Sequence, residues 1–497
     1  MSEAFSGLPA FEVPVAQARP ASSVILWREG PRGREVFWVR RGKALRFAGG
    51  FYAFPGGKVD ADDARIAVQG AAGEAAALIV SAARELFEEA GVLIADGVAN
   101  VAAHTLADAR KGLLAGQVGF ATILAEHGLT LSAEVFLPAG RWITPPFAPV
   151  RFDAHFYLAT LPESQHAEVW PGELSDGAWI SCDEALASWR DGRVLLHPPS
   201  RWSIECLQSA APPACLPTLL SPPHCEDFIA SRVDFQANVY IVPLRTPTLP
   251  PATHTNTYLV GESELALIDP GASDEVELAR LFSVIGAFER DGRRVTQLWL
   301  THHHGDHVGG LSAVWERLGR VPIVAHALTA IRVQLPCVLA REGELLMGRW
   351  RALHTPGHAR GHLCFFDEST RGLVCGDMIS GVSTIVIDPP EGDMAVYLHQ
   401  LERLRDLAPR TLYPAHGTAI PDAVEKLNAY LAHRVAREVK VMAALESAGT
   451  LSAVTARAYD DTPEFMHPVA ERSCLASLLK LESEGRARCE GEVWRGV

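Results

Sequence analysis

Residues 300–310 read LTHHHGDHVGG and directly follow the strand-like run VTQLW. Four histidines and one aspartate stand here in six consecutive positions. Imidazole and carboxylate groups at this density are typical of a metal site, and a polar loop is the alternative interpretation. Alternate positions of an extended segment point the same way, so His302 and His304 can bind one ion, while Asp306 and His307 are offset towards a second.

The rest of the C-terminal half supplies three further candidate ligands. His358 lies in LHTPGHARGH, Asp377 in LVCGDMISG and His416 in LYPAHGT, and the last two directly follow apolar, strand-like runs. Ligands of α/β proteins gather at the ends of strands, so these side chains are expected to meet the histidine loop. Seven nitrogen and oxygen ligands suit two Zn²⁺ ions, or similar divalent transition metals, that share a bridging carboxylate.

Five separated motifs in this half resemble those of the metallo-β-lactamase superfamily, in particular its glyoxalase II-like and ribonuclease-like branch. They are TNTYLVG, LIDPG, THHHGDHVGG, TPGHARGH with CGD, and YPAHG. The resemblance covers roughly 238–417 and implies an αββα sandwich with a dinuclear site at one edge. The ligands that it implies are His302, His304 and His358 for the first metal, Asp306, His307 and His416 for the second, and Asp377 as the bridge.

A site with two divalent ions indicates the chemistry that this half would perform. Water that two such ions share has its pKa lowered to about 7, which makes it a nucleophile at neutral pH. Asp306 is the candidate catalytic residue, because it can orient this water while it also binds metal. The ions would also take up the charge that develops on a carbonyl or phosphoryl oxygen under attack. His362 and Asp269 are expected to support the ligands rather than to bind metal.

Three glutamates crowd one turn of a predicted helix in the N-terminal half. In SAARELFEEAGVLI, Glu85, Glu88 and Glu89 lie at i, i+3 and i+4 and therefore face one side. Like charges this close destabilise a helix unless cations lie among them. A hard ion such as Mg²⁺ or Mn²⁺, which would bridge these carboxylates to substrate phosphates, is one explanation, and a solvated acidic face is the other.

The surrounding sequence resembles the Nudix hydrolases from about Ala21 to Leu207. AFPGGKVD precedes the helix, and RELFEEAGV fits the Nudix pattern REUxEExGU, in which U is aliphatic. The family's loop–helix–loop binds the metals that bridge a pyrophosphate, and Glu85 becomes a candidate catalytic residue. The resemblance implies Gly56, Gly57 and Arg84 as the residues of the substrate loop and its ion-pair brace, and Glu85, Glu88 and Glu89 as metal ligands.

One position departs from this pattern. The signature has a glutamate eight residues before the arginine, where this chain has Ala76, and an insertion, KVDADDARIAVQGAAG, separates the Gly–Gly pair from the helix. Glu74 is a candidate substitute for the missing carboxylate. The insertion and its flanking segments resemble the coenzyme A diphosphatase-like branch. With that branch in mind, Glu173 is a candidate metal ligand, with a surface loop glutamate as the alternative. Arg40, Arg41 and Arg46 are candidates for binding a 3′-phosphate, with a solvated hairpin face as the alternative.

Composition limits the class of protein. A chain of 497 residues is too long for one hydrophobic core, so two or more domains are expected. A net charge of −14 disfavours a general nucleic-acid-binding surface. Nine cysteines without a CxxC pair predict reduced thiols. With no long apolar run, the sequence predicts a cytoplasmic protein that does not bind membranes.

The predicted fold class is α/β and α+β multidomain. It comprises a Nudix mixed-sheet α/β/α sandwich, a proline-rich linker, an αββα metallo-β-lactamase sandwich and a helical, winged-helix-like C-terminal tail. The predicted bounds are 20–207, 208–233, 234–421 and 422–497.

The sequence predicts a bifunctional metal-dependent hydrolase. Its N-terminal half would cleave a nucleoside-diphosphate-linked pyrophosphate, with coenzyme A or its esters as candidates, and its C-terminal half a thioester or ester. The alternative is a C-terminal ribonuclease or phosphodiesterase beside a degenerate binding or regulatory Nudix module, which Ala76 keeps open. The expected partner is a small-molecule substrate, a nucleotide or coenzyme A derivative. RNA is left open but not favoured, and the sequence does not determine the oligomeric state.

Overall fold

The computed structural model divides the chain into two compact units, of which the N-terminal unit ends at Ala237 and the C-terminal unit begins at Asn238. The residues that it describes are 15–42, 49–170, 172–230 and 232–497. Within these residues, every helix is too short or too polar to cross a membrane.

The N-terminal unit contains twelve strands and six α-helices within its described residues. The strands are β1 (Arg19–Gly30), β2 (Gly33–Arg41), β3 (Tyr52–Ala53), β4 (Gly56–Lys58), β5 (Val68–Gln69), β6 (Leu131–Ser132), β7 (Leu137–Ile143), β8 (Phe152–Thr160), β9 (Leu174–Ser181), β10 (Cys225–Glu226), β11 (Ile229–Ala230) and β12 (Val233–Gln236). The helices are α1 (Gly73–Ala90), α2 (Ala103–Leu114), α3 (Phe120–Glu126), α4 (Cys182–Arg190), α5 (Pro198–Ser209) and α6 (Leu216–Leu219).

A mixed sheet forms the centre of this unit. Its main path runs β3-β2-β1-β8-β7, with β4 also paired to β1 and β9 to β2, and β1 and β8 are parallel. Because successive strand residues point to opposite faces, Val24 and Leu26 join the core beneath α1, whereas Ile25 joins the core that includes α4 and α5. Helices therefore cover both faces of the sheet, which confirms the predicted α/β/α sandwich.

The segment 208–233, predicted as a linker, is structured within this unit. It contains α6 and the β10–β11 hairpin. Cys215 and Leu219 are buried in the same core as α4 and α5. The prolines that suggested a linker lie in the turns of a packed segment and, for Pro217, in the first turn of α6, where a fixed φ is favourable. The division between the units falls after this segment, and the predicted domain bounds stay predictions.

The C-terminal unit contains fourteen strands and eight α-helices within its described residues. The strands are β13 (Val239–Arg245), β14 (His254–Gly261), β15 (Glu264–Ile268), β16 (Arg294–Trp299), β17 (Ile323–Ala325), β18 (Cys337–Leu339), β19 (Leu345–Leu346), β20 (Trp350–His354), β21 (Leu363–Asp367), β22 (Gly372–Gly376), β23 (Thr411–Pro414), β24 (Ile420–Pro421), β25 (Ala487–Glu490) and β26 (Val493–Gly496). The helices are α7 (Glu275–Arg290), α8 (Gly305–Val308), α9 (Leu311–Arg317), α10 (Ala327–Val333), α11 (Met394–Asp406), α12 (Ala423–Ala444), α13 (Leu451–Ala458) and α14 (His467–Ser483).

Two sheets pack face to face in this unit. Strands β13 to β18 pair in chain order in one sheet, and β19 to β24 pair in chain order in the other. Large aromatic side chains fill the space between the sheets: the ring of Trp299 lies 5.0 Å from that of Phe365 and 6.3 Å from that of Trp350. Helices α7 and α9 cover the first sheet and α11 and α12 the second. This arrangement confirms the predicted αββα sandwich.

The C-terminal tail packs as three helices and a hairpin. Helices α12, α13 and α14 enclose a small core with the β25–β26 hairpin, and Val441, Val454, Leu478 and Trp494 are buried in it. This order of helices followed by a two-stranded wing confirms the predicted winged-helix-like tail.

Candidate metal centre and carboxylate site

The histidine loop begins where β15 and β16 end side by side, with Ile268 paired to Trp299. Asp269 follows β15 with a φ of 54° and is buried. Its carboxylate accepts hydrogen bonds from the Thr301 backbone N–H at 2.8 Å and from the Thr301 hydroxyl at 2.6 Å. It also lies 2.8 Å from Nδ1 of His307. Asp269 therefore fixes both ends of the loop that carries four candidate ligands.

Three overlapping groups of three candidate ligands form around this loop, and one of them consists of His302, His307 and Asp377. The other two are the groups that the sequence predicted. In the first, His302, His304 and His358 have ligand atoms within 4.8 Å of one another. Nδ1 of His304 lies 2.9 Å from Nε2 of His302 and 3.0 Å from Nε2 of His358. The same 4.8 Å limit holds for the second group, which consists of Asp306, His307 and His416.

Asp377 lies between the two groups. Its carboxylate oxygens are 3.5 Å from Nε2 of His358, 3.6 Å from Nε2 of His307 and 3.3 Å from Nε2 of His416. The structure thus brings all seven predicted side chains together, with Asp377 in the position of a bridge. Their assignment to two ions stays a prediction.

The donor atoms at this centre fit divalent cations. Nε2 of His307 and Oδ1 of Asp377 are buried and have no hydrogen-bond partner among the described residues. Orphaned buried polar atoms are rare in native proteins, so a ligand is the natural partner here. Burial and the neighbouring imidazoles hold the pKa values of His302 and His304 well below the usual range. Both rings are therefore neutral, the form that binds metal.

Backbone carbonyl groups orient the remaining imidazoles. Nδ1 of His358 lies 2.9 Å from the Val386 carbonyl oxygen, and Nδ1 of His416 lies 3.0 Å from the His254 carbonyl oxygen. When Nδ1 donates a hydrogen bond to a carbonyl oxygen, Nε2 keeps a free lone pair. Nε2 faces the centre, so this lone pair is available to a metal ion. The sequence did not single out Val386 or His254, because any residue can supply a carbonyl group.

His362 supports the centre instead of joining it. Its Nδ1 lies 2.8 Å from the Thr355 hydroxyl, and its Nε2 accepts a hydrogen bond from the backbone N–H of Asp377 at 3.1 Å. Both ring nitrogens therefore have protein partners. Asn256, in the motif TNTYLVG, has a similar role, since its amide donates to the Pro414 and Gly417 carbonyl oxygens on either side of His416.

A cavity of about 660 Å³ opens from the candidate metal centre. Its wall includes His304, Asp306, His358, Asp377 and His416 on one side. The other side includes side chains of the tail, among them Arg434 on α12 and Val469 and Ser473 on α14. The tail therefore forms part of the wall around the site.

The N-terminal site is built around Arg84, whose side chain is 9% exposed. Its guanidinium forms a two-point ion pair with Asp63, with both N–O distances 2.9 Å. The same group donates to the Lys58 carbonyl oxygen at 3.0 Å and to Glu85 at 2.8 Å, and lies 3.4 Å from Glu88. Arg84 therefore joins the inserted loop to the acidic face of α1.

The glycine pair lies against the glutamates. The Gly56 N–H donates to the Glu89 carboxylate at 2.8 Å, and a β-carbon on Gly57 would overlap the Glu85 carboxylate. Burial raises the pKa of Glu85 to about 7, although Arg84 opposes this effect. Burial and the neighbouring Glu85 raise the pKa of Glu89 to about 8. The ionised forms of Glu85 and Glu89 are thus unfavourable unless a cation lies beside them. In the described structure, the glutamate carboxylates of this site do not form a group of three with oxygens within 4.8 Å of one another.

Asp63 supplies the acidic partner of Arg84, where the signature would have a glutamate at position 76. Ala76 lies in the first turn of α1, about 12 Å along the helix axis from Arg84, and has no carboxylate, so the acidic partner of the guanidinium comes from the loop. The carboxylate that pairs with Arg84 is that of Asp63, whereas the charge of Glu74 acts on Arg141 and His155, and a metal-binding role for Glu74 stays a prediction. The acidic run DADD within the insertion was the signal that could have identified Asp63.

The remaining candidates, a glutamate and three arginines, differ in how close they lie to the carboxylates. Glu173 and Arg41 both act on the charge of Glu89, so both lie close to the carboxylates. Arg40 donates from Nε to the Gly50 carbonyl oxygen at 3.3 Å. Arg46 lies outside the described residues.

Three family models match the chain. The model of the metallo-β-lactamase superfamily matches 250–334 and 338–416. The β-lactamase associated winged helix domain matches 450–494, and the NUDT19 Nudix domain matches 65–207. Both predicted resemblances, to Nudix hydrolases and to metallo-β-lactamases, are confirmed.

Curated relatives match the C-terminal half. The chain is 33% identical over 193 residues to the lactamase-like protein adaB of Aspergillus niger, covering 39% of this chain and 59% of that protein. It is 30% identical over 256 residues to a β-lactamase-like protein 2 homolog of Drosophila melanogaster, covering 47% of this chain and 84% of that protein. It is 33% identical over 192 residues to an atrochrysone carboxyl ACP thioesterase of Aspergillus chevalieri, covering 38% and 60%.

Solved structures resemble each half. A metallo-β-lactamase family protein from Thermus thermophilus is 25% identical with a TM-score of 0.46, over 53% of this chain and 100% of that chain. A NUDIX hydrolase from Alicyclobacillus acidocaldarius is 27% identical with a TM-score of 0.37, over 42% of this chain and 99% of that chain.

Proposed function

Because this chain belongs to the metallo-β-lactamase superfamily and also carries a Nudix domain, we propose that it is a bifunctional metal-dependent hydrolase. Its C-terminal unit would cleave thioesters and its N-terminal unit a nucleoside-diphosphate-linked pyrophosphate, with coenzyme A or its esters as the candidate substrate. The observation that carries the proposal is the convergence of seven side chains with nitrogen and oxygen donors around one loop, among them buried donor atoms without a hydrogen-bond partner in the described residues.

In the C-terminal unit, the seven side chains would hold two ions. His302, His304 and His358 would hold one divalent ion, and Asp306, His307 and His416 a second, with Asp377 shared. Zn²⁺ or a similar transition metal suits this histidine-rich set. When bound, the two ions would supply a nucleophile at neutral pH and neutralise the charge that develops on the carbonyl oxygen.

Asp306 is placed to handle the proton of this reaction. Its Oδ2 lies 3.6 Å from Nε2 of His416 and 3.5 Å from the Thr255 hydroxyl, which can donate to it. The carboxylate also lines the cavity, so it faces the substrate as well as the other ligands. Asp306 can therefore orient the attacking water and accept a proton from it.

A thioester is the favoured substrate for two reasons. A relative in Aspergillus chevalieri is named as an ACP thioesterase, and this chain spans 60% of its length. The cavity beside the centre has a size typical of small-molecule sites, and apolar residues such as Leu249, Ile385 and Val469 line it. Such a lining accommodates an acyl chain or a neutral thiol arm.

The N-terminal unit offers a different set of donors. Glu85, Glu88 and Glu89 present only carboxylate oxygens, which favour Mg²⁺ or Mn²⁺ over zinc. Arg84 and Asp63 fix the acidic helix to the loop, so the site is braced despite the alanine at position 76. This bracing supports an active Nudix unit over a degenerate one.

An activity screen of the full chain tests the proposal. After treatment with a chelator, the protein is supplied with Zn²⁺, Mn²⁺ or Mg²⁺ and offered acyl thioesters, coenzyme A, ADP-ribose and a short RNA. We expect thioester cleavage with Zn²⁺ and pyrophosphate cleavage with Mg²⁺ or Mn²⁺. Cleavage of RNA without thioester cleavage would contradict the assignment of the C-terminal unit.

A further inference from the structure

Arg434 is a buried cation in the wall of the cavity beside the metal centre. Its side chain lines this cavity although the residue is only 6% exposed. It takes a position on α12 in line with the buried residues Leu427, Tyr430 and Val441. An arginine in such an apolar stripe is costly to bury, because guanidinium stays charged at any physiological pH.

The contacts of Arg434 leave its charge uncompensated. Its Nη2 donates to the Ile385 carbonyl oxygen, and its guanidinium lies 5.3 Å from the centre of the Tyr397 ring. Its Nε is buried and has no hydrogen-bond partner among the described residues. No carboxylate of the described chain forms an ion pair with this side chain.

The other guanidinium groups of the cavity wall are paired. Arg332 lies 3.6 Å from Glu391, and Arg437 lies 2.8 Å from Asp461. Among the carboxylates of the wall outside the metal centre, Asp388 lies 2.5 Å from Arg472, and Glu391 is the partner of Arg332. Outside the metal centre, Arg434 is therefore the charged side chain of this wall that has no ion-pair partner among the described residues. Buried charges in proteins are normally paired, so a ligand anion is the missing partner.

We propose that Arg434 forms an anion subsite that binds the phosphate at the end of the substrate's thiol arm. The proposal rests on the thioesterase function proposed above. The reacting thioester would lie at the metal centre, the neutral arm along the apolar wall, and the phosphate at Arg434. The planar guanidinium matches phosphate oxygens, and a charge-assisted hydrogen bond in a cavity of this kind is strong. The predicted substrate class is a thioester of a phosphorylated pantetheine.

A comparison of two substrates measures this subsite. The full chain loaded with Zn²⁺ is assayed with S-acetyl-4′-phosphopantetheine and with S-acetylpantetheine, which differ only in the phosphate. We expect the phosphorylated substrate to be favoured about 10- to 100-fold in kcat/KM. In Arg434→Gln this ratio should fall towards one, and in Arg434→Lys, which keeps the charge, part of it should remain.

Lys440→Gln is the matched control. It removes one positive charge from the same helix, but Lys440 pairs with Asp460 and Asp461 and does not line the cavity. The ratio should therefore stay at its wild-type value. An unchanged ratio in folded Arg434→Gln would overturn the proposal, as would a stronger preference for S-acetylglutathione, whose arm carries carboxylates.

Binding without turnover separates this subsite from the proposed function. Calorimetric titration of the chelator-treated full chain compares 4′-phosphopantetheine with pantetheine. Tighter binding of the phosphorylated arm that depends on Arg434 supports the subsite, even if thioesters are not cleaved and the proposed function fails. Equal binding of the two arms to the wild-type chain overturns the subsite, even if thioesters are cleaved. This wild-type comparison also decides the matter if Arg434→Gln does not fold.

Discussion

Arg84 determines the arrangement of the acidic face of α1. One guanidinium group contacts Asp63, Glu85 and the Lys58 carbonyl oxygen, and so connects the inserted loop with helix α1 and the end of strand β4. Asp63 is 2% exposed and also accepts a hydrogen bond from the Asp60 N–H at 2.8 Å. A buried, two-point ion pair of this kind is strongly destabilising to break, because a charge is left without its partner.

Asp63→Asn should destabilise the N-terminal unit by about 3 kcal/mol and lower its pyrophosphatase activity. Chemical denaturation of the full chain measures the first effect, and a coenzyme A cleavage assay the second. Asp62→Asn is the control, since Asp62 is exposed and its ion pair is with the exposed Arg65 at 2.7 Å. Adding Ala76→Glu to Asp63→Asn should not restore activity. Restoration would show that position 76 can brace Arg84 after all.

Asp269→Asn should weaken metal binding in the C-terminal unit. Asp269 accepts from Thr301 and lies beside His307, so the amide would disturb both the loop and the orientation of the imidazole. Loss of such a supporting carboxylate should lower metal affinity about 10- to 100-fold. Competition with a chromophoric chelator measures the affinity. Asp274→Asn, on an exposed helix cap, should leave it unchanged, and an equal loss in both variants would refute the specific role of Asp269.

At the residue scale, the candidate metal ligands could be predicted and their supports only in part. The seven ligands have chemistry that few other functions require, and they occur in motifs with fixed internal spacing. Asp63 and Arg434 could not be predicted in the same way. Each is one charged residue whose importance comes from its burial, and burial depends on how distant segments pack.

At the scale of the elements, the contact between β4 and α1 determines where the Nudix carboxylates lie. Gly57 allows the strand to approach the helix so closely that the Glu85 carboxylate lies against its backbone, and the Gly56 N–H donates to the Glu89 carboxylate. A β-carbon on Gly56 would instead overlap Ser22 and Ser23 of β1. Nothing in the length of either element predicts this distance. The Gly–Gly pair was the signal, because glycine is needed where another group approaches the backbone closely.

Gly57→Ala should reduce pyrophosphatase activity about 100-fold, since displacement of a reacting group by about 1 Å has an effect of that order. The added methyl group would overlap the Glu85 carboxylate and push it from its position. Steady-state kinetics and a melting temperature measured on the same sample check this. Gly119→Ala is the control, because a β-carbon there meets no other atom within 4 Å. Normal kinetics in Gly57→Ala would exclude a role for this close contact.

Element boundaries were the least predictable part of the fold. The apolar periodicity of α1 indicated a helix, but the signature alone did not fix its start at Gly73, the last residue of the insertion. The segment 208–233 has the composition of a linker, yet it packs into a core. Proline content reports local turns, and whether a turn-rich segment is buried depends on the apolar residues between the turns, here Cys215 and Leu219.

For the whole molecule, the two sites should be separable by mutation. Glu88→Gln should abolish only pyrophosphate cleavage and His302→Ala only thioester cleavage, because each residue contacts groups of its own unit. Parallel assays of both activities in each variant, with circular dichroism to confirm folding, measure this. If either substitution silenced both activities in a folded chain, the two sites would be coupled.

Metal content should follow the same division. The double variant Asp306→Ala/His307→Ala removes two of the three donors of the second group and leaves the first group intact. Elemental analysis after zinc loading and gel filtration should give about one zinc ion fewer per chain than in the wild type. A full complement of zinc in the double variant would refute the assignment of the second group.

The origin of Asp63 in a loop has a consequence for how this chain can evolve. When a carboxylate and its partner lie on the same helix, a fixed residue spacing brings them together. An insertion or deletion between the two would therefore break the ion pair. A carboxylate on a loop needs only to return to the same point, and loop closure depends weakly on length. The insertion that carries Asp63 is therefore free to gain or lose residues between its two anchors. Related chains can therefore keep the ion pair between Arg84 and a loop carboxylate, while the number of residues between the two changes. A search for a fixed spacing would not find such a pair.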